Sequence, residues 1–337
     1  MKVQITMACG DYAHTLPLRT GAVAADGIDL NYIVVGSHEL FRRQANYAEF
    51  DASEFSLSTL MILHSRGDTR FVGIPVFPVK RFRHKNIFIN IHSNIKQPQD
   101  LVGKRVGVLE FLQTAGVWMR GFLHHDYGVK TDSINWYLGG FDEPEESYSE
   151  RIDLSLPKNI RRIVIPPDKS LDQMLERGEI DAVMSPSPPK SFILGSSNVV
   201  RLFPDFKDAE IAYFKRTRIF PIMHTLVLKR AVYERYPWTA QSLFKAFVQA
   251  KAMVMQRLAS PVGMREYYPL PWLPEYVQEI QSLLGRDFWS YGLRENLHTL
   301  ETLAQYAFEQ GLLDRRIERV DDLFAIETHK GVEFGRI

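Results

Sequence analysis

Short apolar segments alternate with amphipathic segments along most of the chain, which is the pattern of α/β proteins. Apolar residues recurring every three or four positions predict helices from Ser170 to Gly178, over residues 114–128 and through much of the C-terminal third. Ser170 and Gln173 have the spacing of an N-terminal capping box. The apolar segments predict strands at residues 3–7, 71–76, 87–91, 104–109, 180–184 and 225–228.

The order of these elements predicts two lobes. A strand–helix unit opens the chain, a second unit begins near Gly103, and the chain returns to the first lobe near Thr225. We expect lobe 1 to contain residues 1–92 and 222–337, and lobe 2 to be the insertion 93–221. Ligands of open α/β sheets bind beyond the carboxyl ends of the strands, so a cleft between the lobes is the expected ligand site.

Composition and charge narrow the class of protein. The chain has 337 residues, 45% of them hydrophobic, and a net charge of +1. Both lobes can therefore bury a core, and the balanced charge argues against nucleic acid or a membrane as partner. Cys9 is the single cysteine, so no internal disulfide forms. With Met1 as the start, no apolar export signal precedes the first strand, and we expect a cytoplasmic protein.

Several segments carry a family resemblance. The segments GKRVGV (103–108) and LERGEIDAVM (175–184) resemble the second lobe of type II substrate-binding proteins, which implies a two-lobed, type II periplasmic-binding-protein-like α/β fold. Across nearly the whole chain, further segments resemble the 4,5-dihydroxyphthalate decarboxylase family: DASEFSLS (51–58), PVFPVKRFRH (75–84), WMRG (118–121), RTRIFPIMHT (216–225), LPWL (270–273), EQGL (309–312) and LFAIET (323–328). The resemblance implies non-oxidative loss of one carboxylate from a dihydroxylated phthalate, giving protocatechuate and carbon dioxide without an organic cofactor.

The segment KRFRHK (80–85) places basic residues between two apolar segments. It is either a solvated basic turn or part of an anion site. Alternation sends Arg81 and Arg83 to one side and Phe82 and His84 to the other. In the functional interpretation, Arg81 or Arg83 pairs a substrate carboxylate in a bidentate contact, and His84 is a candidate proton donor.

The segment DASE (51–54) is interpreted as following a strand and preceding an apolar helix. Asp51 or Ser53 either caps that helix or contacts the ligand. In the functional interpretation, Asp51 or Glu54 engages the substrate hydroxyls and helps to deprotonate a catechol.

Two further segments end strands of the predicted second lobe. Thr114 is either a simple N-cap or, with Ala115, offers helix N–H groups to a carboxylate. Glu110 is a candidate proton shuttle. Ser185 is either a turn residue or a ligand contact.

The segment 216–225 is expected to cross back to the first lobe. Arg218 is a candidate carboxylate ligand. His224 is either a buried core histidine or, in the functional interpretation, a general acid or a partner of a substrate hydroxyl.

The expected chemistry needs an acid near the departing carboxylate, a base near the phenol and a holder for the second carboxylate. A hydroxyl para to the departing carboxylate supplies electron density, so no cofactor is expected. The sequence His124-His125-Asp126 is interpreted as a helix end rather than a metal site, because neighbouring helical side chains point in different directions. No metal is therefore expected.

Three alternatives stay open. One is a binding protein for a small anionic aromatic ligand, without chemistry. Another is a pyrimidine-forming enzyme of thiamine biosynthesis, which a single cysteine supports poorly. The third is a decarboxylase of a different aromatic acid. Trp272 and Trp289 are candidates for a subunit interface, and we expect a homo-oligomer.

Overall fold

A computed structural model describes residues 2–260 and 268–331. Met1 and residues 332–337, at the two ends of predicted lobe 1, lie outside the described residues, as do residues 261–267. The strands are β1 (Val3–Cys9), β2 (Ile28–Val34), β3 (Ala52–Ser56), β4 (Phe71–Ile74), β5 (Ile87–Asn90), β6 (Arg105–Val108), β7 (Asn135–Leu138), β8 (Arg162–Val164), β9 (Ala182–Met184), β10 (Val199–Arg201) and β11 (His224–Lys229).

The helices surround these strands. They are α1 (Leu16–Arg19), α2 (Ser37–Tyr47), α3 (Leu57–Ser65), α4 (Thr114–Tyr127), α5 (Leu171–Glu176), α6 (Lys190–Ile193), α7 (Phe206–Thr217), α8 (Arg230–Arg235), α9 (Trp238–Ala259), α10 (Leu273–Leu284) and α11 (Leu297–Glu309). Within the described ranges, no helix is both long and apolar enough to cross a lipid bilayer.

Two mixed sheets form the two lobes. The first sheet has the strand order β2-β1-β3-β11-β4, and β11 runs antiparallel to both of its neighbours. The second sheet has the order β10-β5-β9-β6-β7-β8, with β5 antiparallel to β9 and β10. The fold is therefore the two-lobed α/β arrangement that the element order predicts.

The chain passes between the sheets twice, through residues 75–86 and 218–223. These crossing segments are hydrogen-bonded to each other: the Arg81 N–H donates to the Pro221 carbonyl over 2.9 Å, and the Met223 N–H donates to the Val79 carbonyl over 2.8 Å. The strand β5 already belongs to the second sheet, so this passage comes before residue 92. The division of the chain at 92/93 and 221/222 stays a prediction.

Local sequence explains where several helices begin and end. The Ser170 side chain accepts a hydrogen bond from the Gln173 N–H and caps α5. Gly128 ends α4 in the left-handed conformation, with φ of 73°, where a side chain is unfavourable. Gln113, rather than Thr114, is the N-cap residue of α4.

The segment 51–54 differs from its predicted setting. Ser53 and Glu54 lie inside β3, which is buried throughout, and Asp51 precedes this strand. The next helix, α3, takes Ser56 as its N-cap residue, so neither Asp51 nor Ser53 caps it. The segment contains a central strand despite its polar sequence. The strands β1 and β11 pair with its two edges and bury it.

An apolar core joins the lobes. Trp118 of α4 is fully buried within the main cluster, and its indole N–H donates to the Ile222 carbonyl of the second crossing segment over 2.8 Å. This bond holds α4 against the second crossing segment. The first turn of α4 faces the space between the two sheets.

Candidate functional site

A cleft of about 370 Å³ lies between the lobes, where strands of both sheets end. Its lining residues lie at or beyond the carboxyl ends of β1, β2, β3, β6, β7 and β9, belong to the crossing segments or, in the case of His224, begin β11. This is the position in which open α/β sheets bind ligands. The cleft therefore agrees with the location expected from the order of elements.

The lining of this interlobe cleft is basic. Among residues 2–260 and 268–331, no carboxylate side chain lines it. Its basic side chains are His38, Arg81, Arg83, Arg151 and His224. Such a lining suits an anion.

Glu54 and His224 form a hydrogen-bonded pair in which Glu54 is fully buried and His224 lines the cleft. In the antiparallel register of β3 and β11, His224 lies opposite Ser56, so its ring reaches diagonally to Glu54. The His224 Nδ1 lies 2.5 Å from Glu54 Oε1. This contact fixes the ring and leaves Nε2 for a molecule in the cleft.

The Glu54 carboxylate is completely buried and accepts several hydrogen bonds from the protein. The Gly10 N–H and the Tyr12 hydroxyl each donate to it over 2.8 Å. Burial acts to raise the pKa of Glu54, but the bond from His224 and the bonds from Gly10 and Tyr12 outweigh it and lower the pKa overall. Glu54 therefore stays ionised and can balance a positive charge on His224.

Arg83 is a buried cation at the cleft wall. Its side chain is 4% exposed, Nε–H donates to Met223 Sδ over 3.2 Å, and Nη1 donates to the Pro186 carbonyl over 3.1 Å. Burial, and then the charge of Arg81, lower the pKa of the Arg83 guanidinium. In the described part of the chain it forms no ion pair with a carboxylate, so an anionic ligand would compensate its charge.

Arg151 is a second buried arginine of the cleft. It comes from the loop between β7 and β8 and forms an ion pair with Glu110. Its Nη1 is buried without a hydrogen-bond partner in the protein. Glu110 is thus the counter-ion of Arg151 rather than a lining residue, and Arg42 lies 3.9 Å from the same carboxylate.

The first turn of α4 also faces the cleft. Gln113, Thr114 and Ala115 line it, and the first N–H groups of a helix have no partners within the helix. The Thr114 hydroxyl lies 3.0 Å from the Ser56 hydroxyl and accepts the Ser58 N–H over 3.1 Å. The side chain of Thr114 therefore links the lobes, and the helix terminus remains available to an anion.

Other residues expected at the site lie elsewhere. The Asp51 carboxylate accepts the Thr6 N–H over 3.0 Å and joins the chain before β3 to β1. Ser53 is fully buried inside β3. Ser185 is 2% exposed and accepts the N–H of Ser187, and Ser187 is the residue that lines the cleft.

The structure does not bring His84 or Arg218 to the cleft. The His84 ring stacks on Phe122 with ring centroids 4.2 Å apart, and burial lowers its pKa to about 4. Arg218 is exposed at the C-terminus of α7 and covers the ring of Phe214. Of residues 81–84, only Arg81 and Arg83 line the cleft. The alternation along this segment therefore does separate the two arginines from His84.

Sequence reasoning missed Tyr12 and Arg151. Tyr12 follows the carboxyl end of β1, so the strand-end rule could have identified it. Arg151 lies in a polar, irregular loop whose sequence carries no periodic signal. The ion pair with Glu110, 41 positions earlier in the chain, holds Arg151 at the cleft.

The chain is similar in sequence to two known decarboxylases. The chain is 35% identical to the 4,5-dihydroxyphthalate decarboxylase of Comamonas testosteroni over 317 residues, covering 94% of this chain and 95% of the relative. It is also 35% identical to the protein of the same name from Pseudomonas putida over 214 residues, covering 64% of this chain and 82% of the relative. No protein-family model matches the chain.

Among solved structures, the periplasmic aliphatic sulphonate binding protein SsuA of Escherichia coli is similar, with a TM-score of 0.55 and 14% identity. The alignment covers 98% of this chain and all (100%) of that one. This likeness concerns the fold alone, and it identifies the two lobes as periplasmic-binding-protein-like.

Proposed function

Because the chain belongs to the 4,5-dihydroxyphthalate decarboxylase family, we propose that it removes one carboxylate from 4,5-dihydroxyphthalate and releases protocatechuate and carbon dioxide. One observation carries this proposal. The interlobe cleft combines His224, whose ring Glu54 orients, with Arg83, a buried guanidinium that forms no ion pair with a carboxylate in the described chain. An aromatic dianion satisfies both features, since it supplies a negative charge to the arginine and a ring carbon to the histidine.

The two adjacent carboxylates of the substrate need two cationic contacts. Arg83 and Arg151 both line the cleft, and each is only 4% exposed. The Nη1 of Arg151 is buried without a partner in the protein, so a substrate carboxylate that reaches it would satisfy its donors. The first turn of α4 adds N–H groups beside them. We assign these groups to carboxylate binding, with Arg81 at the exposed side of the same wall.

The reaction replaces a carbon–carbon bond by a carbon–hydrogen bond. In our proposal, protonated His224 delivers its Nε2 proton to the ring carbon that carries the departing carboxylate. The para hydroxyl donates electron density and stabilises the protonated ring. The bond to the carboxylate then breaks, its electron pair restores the aromatic ring, and carbon dioxide leaves. His224 takes up a new proton from water, with Glu54 balancing its charge.

Cofactor independence is part of the proposal. Decarboxylation becomes difficult when the electron pair left on carbon has no acceptor, and cofactors commonly supply one. Here the proton arrives first and the para hydroxyl stabilises the positive ring. No redox change occurs, so neither an oxidant nor a reductant is required.

The test uses the purified full-length chain with 4,5-dihydroxyphthalate, without added cofactor, in parallel reactions with and without EDTA. We expect protocatechuate and carbon dioxide in equal amounts in both reactions, measured by chromatography and by carbon dioxide release. Phthalate is the matched control substrate, because it keeps both carboxylates and lacks the para hydroxyl. We expect it to bind and to remain unchanged.

Binding of 4,5-dihydroxyphthalate without any product would contradict the enzymatic proposal and favour a binding protein. Activity abolished by EDTA and restored by a metal ion would contradict cofactor independence alone. The cytoplasmic location and the homo-oligomer stay predictions.

A further inference from the structure

Three metal-ligating side chains meet at the surface where α4 packs against α11. His124 and His125 lie in the last turn of α4, and Glu309 is the last residue of α11. One ligand atom from each of the three lies within 4.8 Å of the others. The His125 Nε2 lies 2.6 Å from Glu309 Oε2.

This cluster differs from the expectation for two consecutive helical histidines. Their rings do diverge, with an angle of 51° between the planes, but the centroids are only 5.0 Å apart. The third ligand comes from a different helix, and the sequence of α4 gives no sign of it. Gly121 permits the close approach of α11, because a Cβ at this position would collide with Tyr306.

We propose that His124, His125 and Glu309 form a zinc-binding site that ties α4 to α11. Two imidazole nitrogens and one carboxylate oxygen are borderline ligands that suit Zn²⁺ and disfavour Mg²⁺ and Ca²⁺, which take oxygen ligands. A water molecule completes the tetrahedron. Ligand atoms around zinc lie roughly 3.3 Å apart when each is about 2.0–2.1 Å from the ion. The three ligand atoms lie within 4.8 Å of one another, so they must come closer together when the ion binds.

The surroundings already orient two of the ligands. The Gln305 amide donates to Glu309 Oε1 over 2.7 Å, so Oε2, which bonds His125 Nε2, is the oxygen that would bind the metal. The His125 ring stacks on Tyr306 with centroids 4.8 Å apart. Such outer contacts fix ligand orientation in zinc sites. The neighbouring Asp126 is held by Arg216 and is not a fourth ligand.

The site is separate from the interlobe cleft. Thr114 begins α4 at the cleft, and His124 lies ten positions further, roughly 15 Å along the helix axis at 1.5 Å per residue. Zinc therefore contacts no substrate. It stabilises the junction of α4 and α11, and its binding is measurable without any assay of activity.

The test uses the full-length chain treated with EDTA, dialysed free of the chelator and titrated with zinc chloride by calorimetry. We expect one Zn²⁺ per chain and a melting temperature that rises with zinc concentration. The variants His124→Ala and Glu309→Gln should each weaken binding about tenfold or more. The control His92→Ala changes an exposed histidine outside the cluster and should bind as the wild-type chain does.

All three altered residues lie at least partly at the surface, so the variants should fold, and equal melting temperatures in EDTA verify this. A wild-type melting temperature that does not respond to zinc would overturn the site, whatever the variants do. Equal loss of binding in His92→Ala and His124→Ala would also overturn it, because it would indicate scattered surface binding.

Discussion

Replacing Arg83 by methionine removes one of the two buried arginine charges of the cleft and keeps a long side chain in its place. The wild-type guanidinium donates to the Pro186 carbonyl and to Met223 Sδ, and it is 4% exposed. If its main role is to bind a substrate carboxylate, the variant should lose catalytic efficiency far more than stability.

The expected magnitudes follow from these contacts. A hydrogen bond to a charged group contributes about 1.5–3 kcal/mol, so losing one bidentate carboxylate contact costs about 3 kcal/mol. That loss lowers kcat/KM roughly 100-fold, since about 1.4 kcal/mol corresponds to a factor of ten. For stability, removing a buried charge favours folding by about 1–4 kcal/mol. The unpaired Pro186 carbonyl opposes it by about 1–3 kcal/mol. We therefore expect the free energy of unfolding to stay within about 3 kcal/mol of wild type.

The assay combines steady-state kinetics on 4,5-dihydroxyphthalate with urea unfolding. The matched control is Arg120→Met, because Arg120 is also a buried arginine but donates to Gln310 and to the Phe111 carbonyl, outside the cleft lining. Its kcat/KM should equal that of wild type. Full activity of Arg83→Met together with a large loss of stability would refute the reasoning, since Arg83 would then support the fold alone.

Three further variants test other buried groups. His224→Gln keeps a donor to Glu54 but has no proton for carbon, so kcat should fall by about 10²–10⁴ with the fold retained by circular dichroism. For His84, whose pKa is lowered to about 4 mainly by burial, the unfolded chain binds the proton first as pH falls. Wild type should therefore lose roughly 3 kcal/mol of unfolding free energy between pH 6.5 and 4 relative to His84→Phe, and His84→Phe should keep its activity. Burial lowers the pKa of Lys80 to about 7, so Lys80→Met should be more stable than wild type at pH 6, by denaturant unfolding, with the difference shrinking towards pH 9.

Much of the fold follows from local sequence. The strands β1, β5 and β11 are apolar segments, and α4 has both helical spacing and the glycine that ends it. The strand β3 escaped detection, because its sequence ASEFS is polar while its position between two strands buries it. A strand that is buried on both faces usually appears as a continuous apolar run, and the serines and Glu54 of β3 interrupt that run.

The candidate site was less predictable for a related reason. His84 and His224 both adjoin apolar segments, yet one faces Phe122 and the other faces the cleft. Which way a side chain points depends on contacts between distant segments, such as that between Glu54 and His224. Arg151 illustrates the same limit, since only folding brings its loop to Glu110.

The paired crossing segments have a consequence for how the protein can open. Arg83 lies in one of them, Met223 lies in the other, and His224 is the first residue after them. When two rigid bodies rotate about a shared axis, the points nearest the axis are displaced least. Arg83 and His224 lie beside this axis, so a rotation of the lobes would leave the distance between them nearly unchanged. Arg151 lies in a loop that also bonds the first lobe, where Arg42 donates to the Ser149 carbonyl and Arg66 donates to the Asp153 carbonyl.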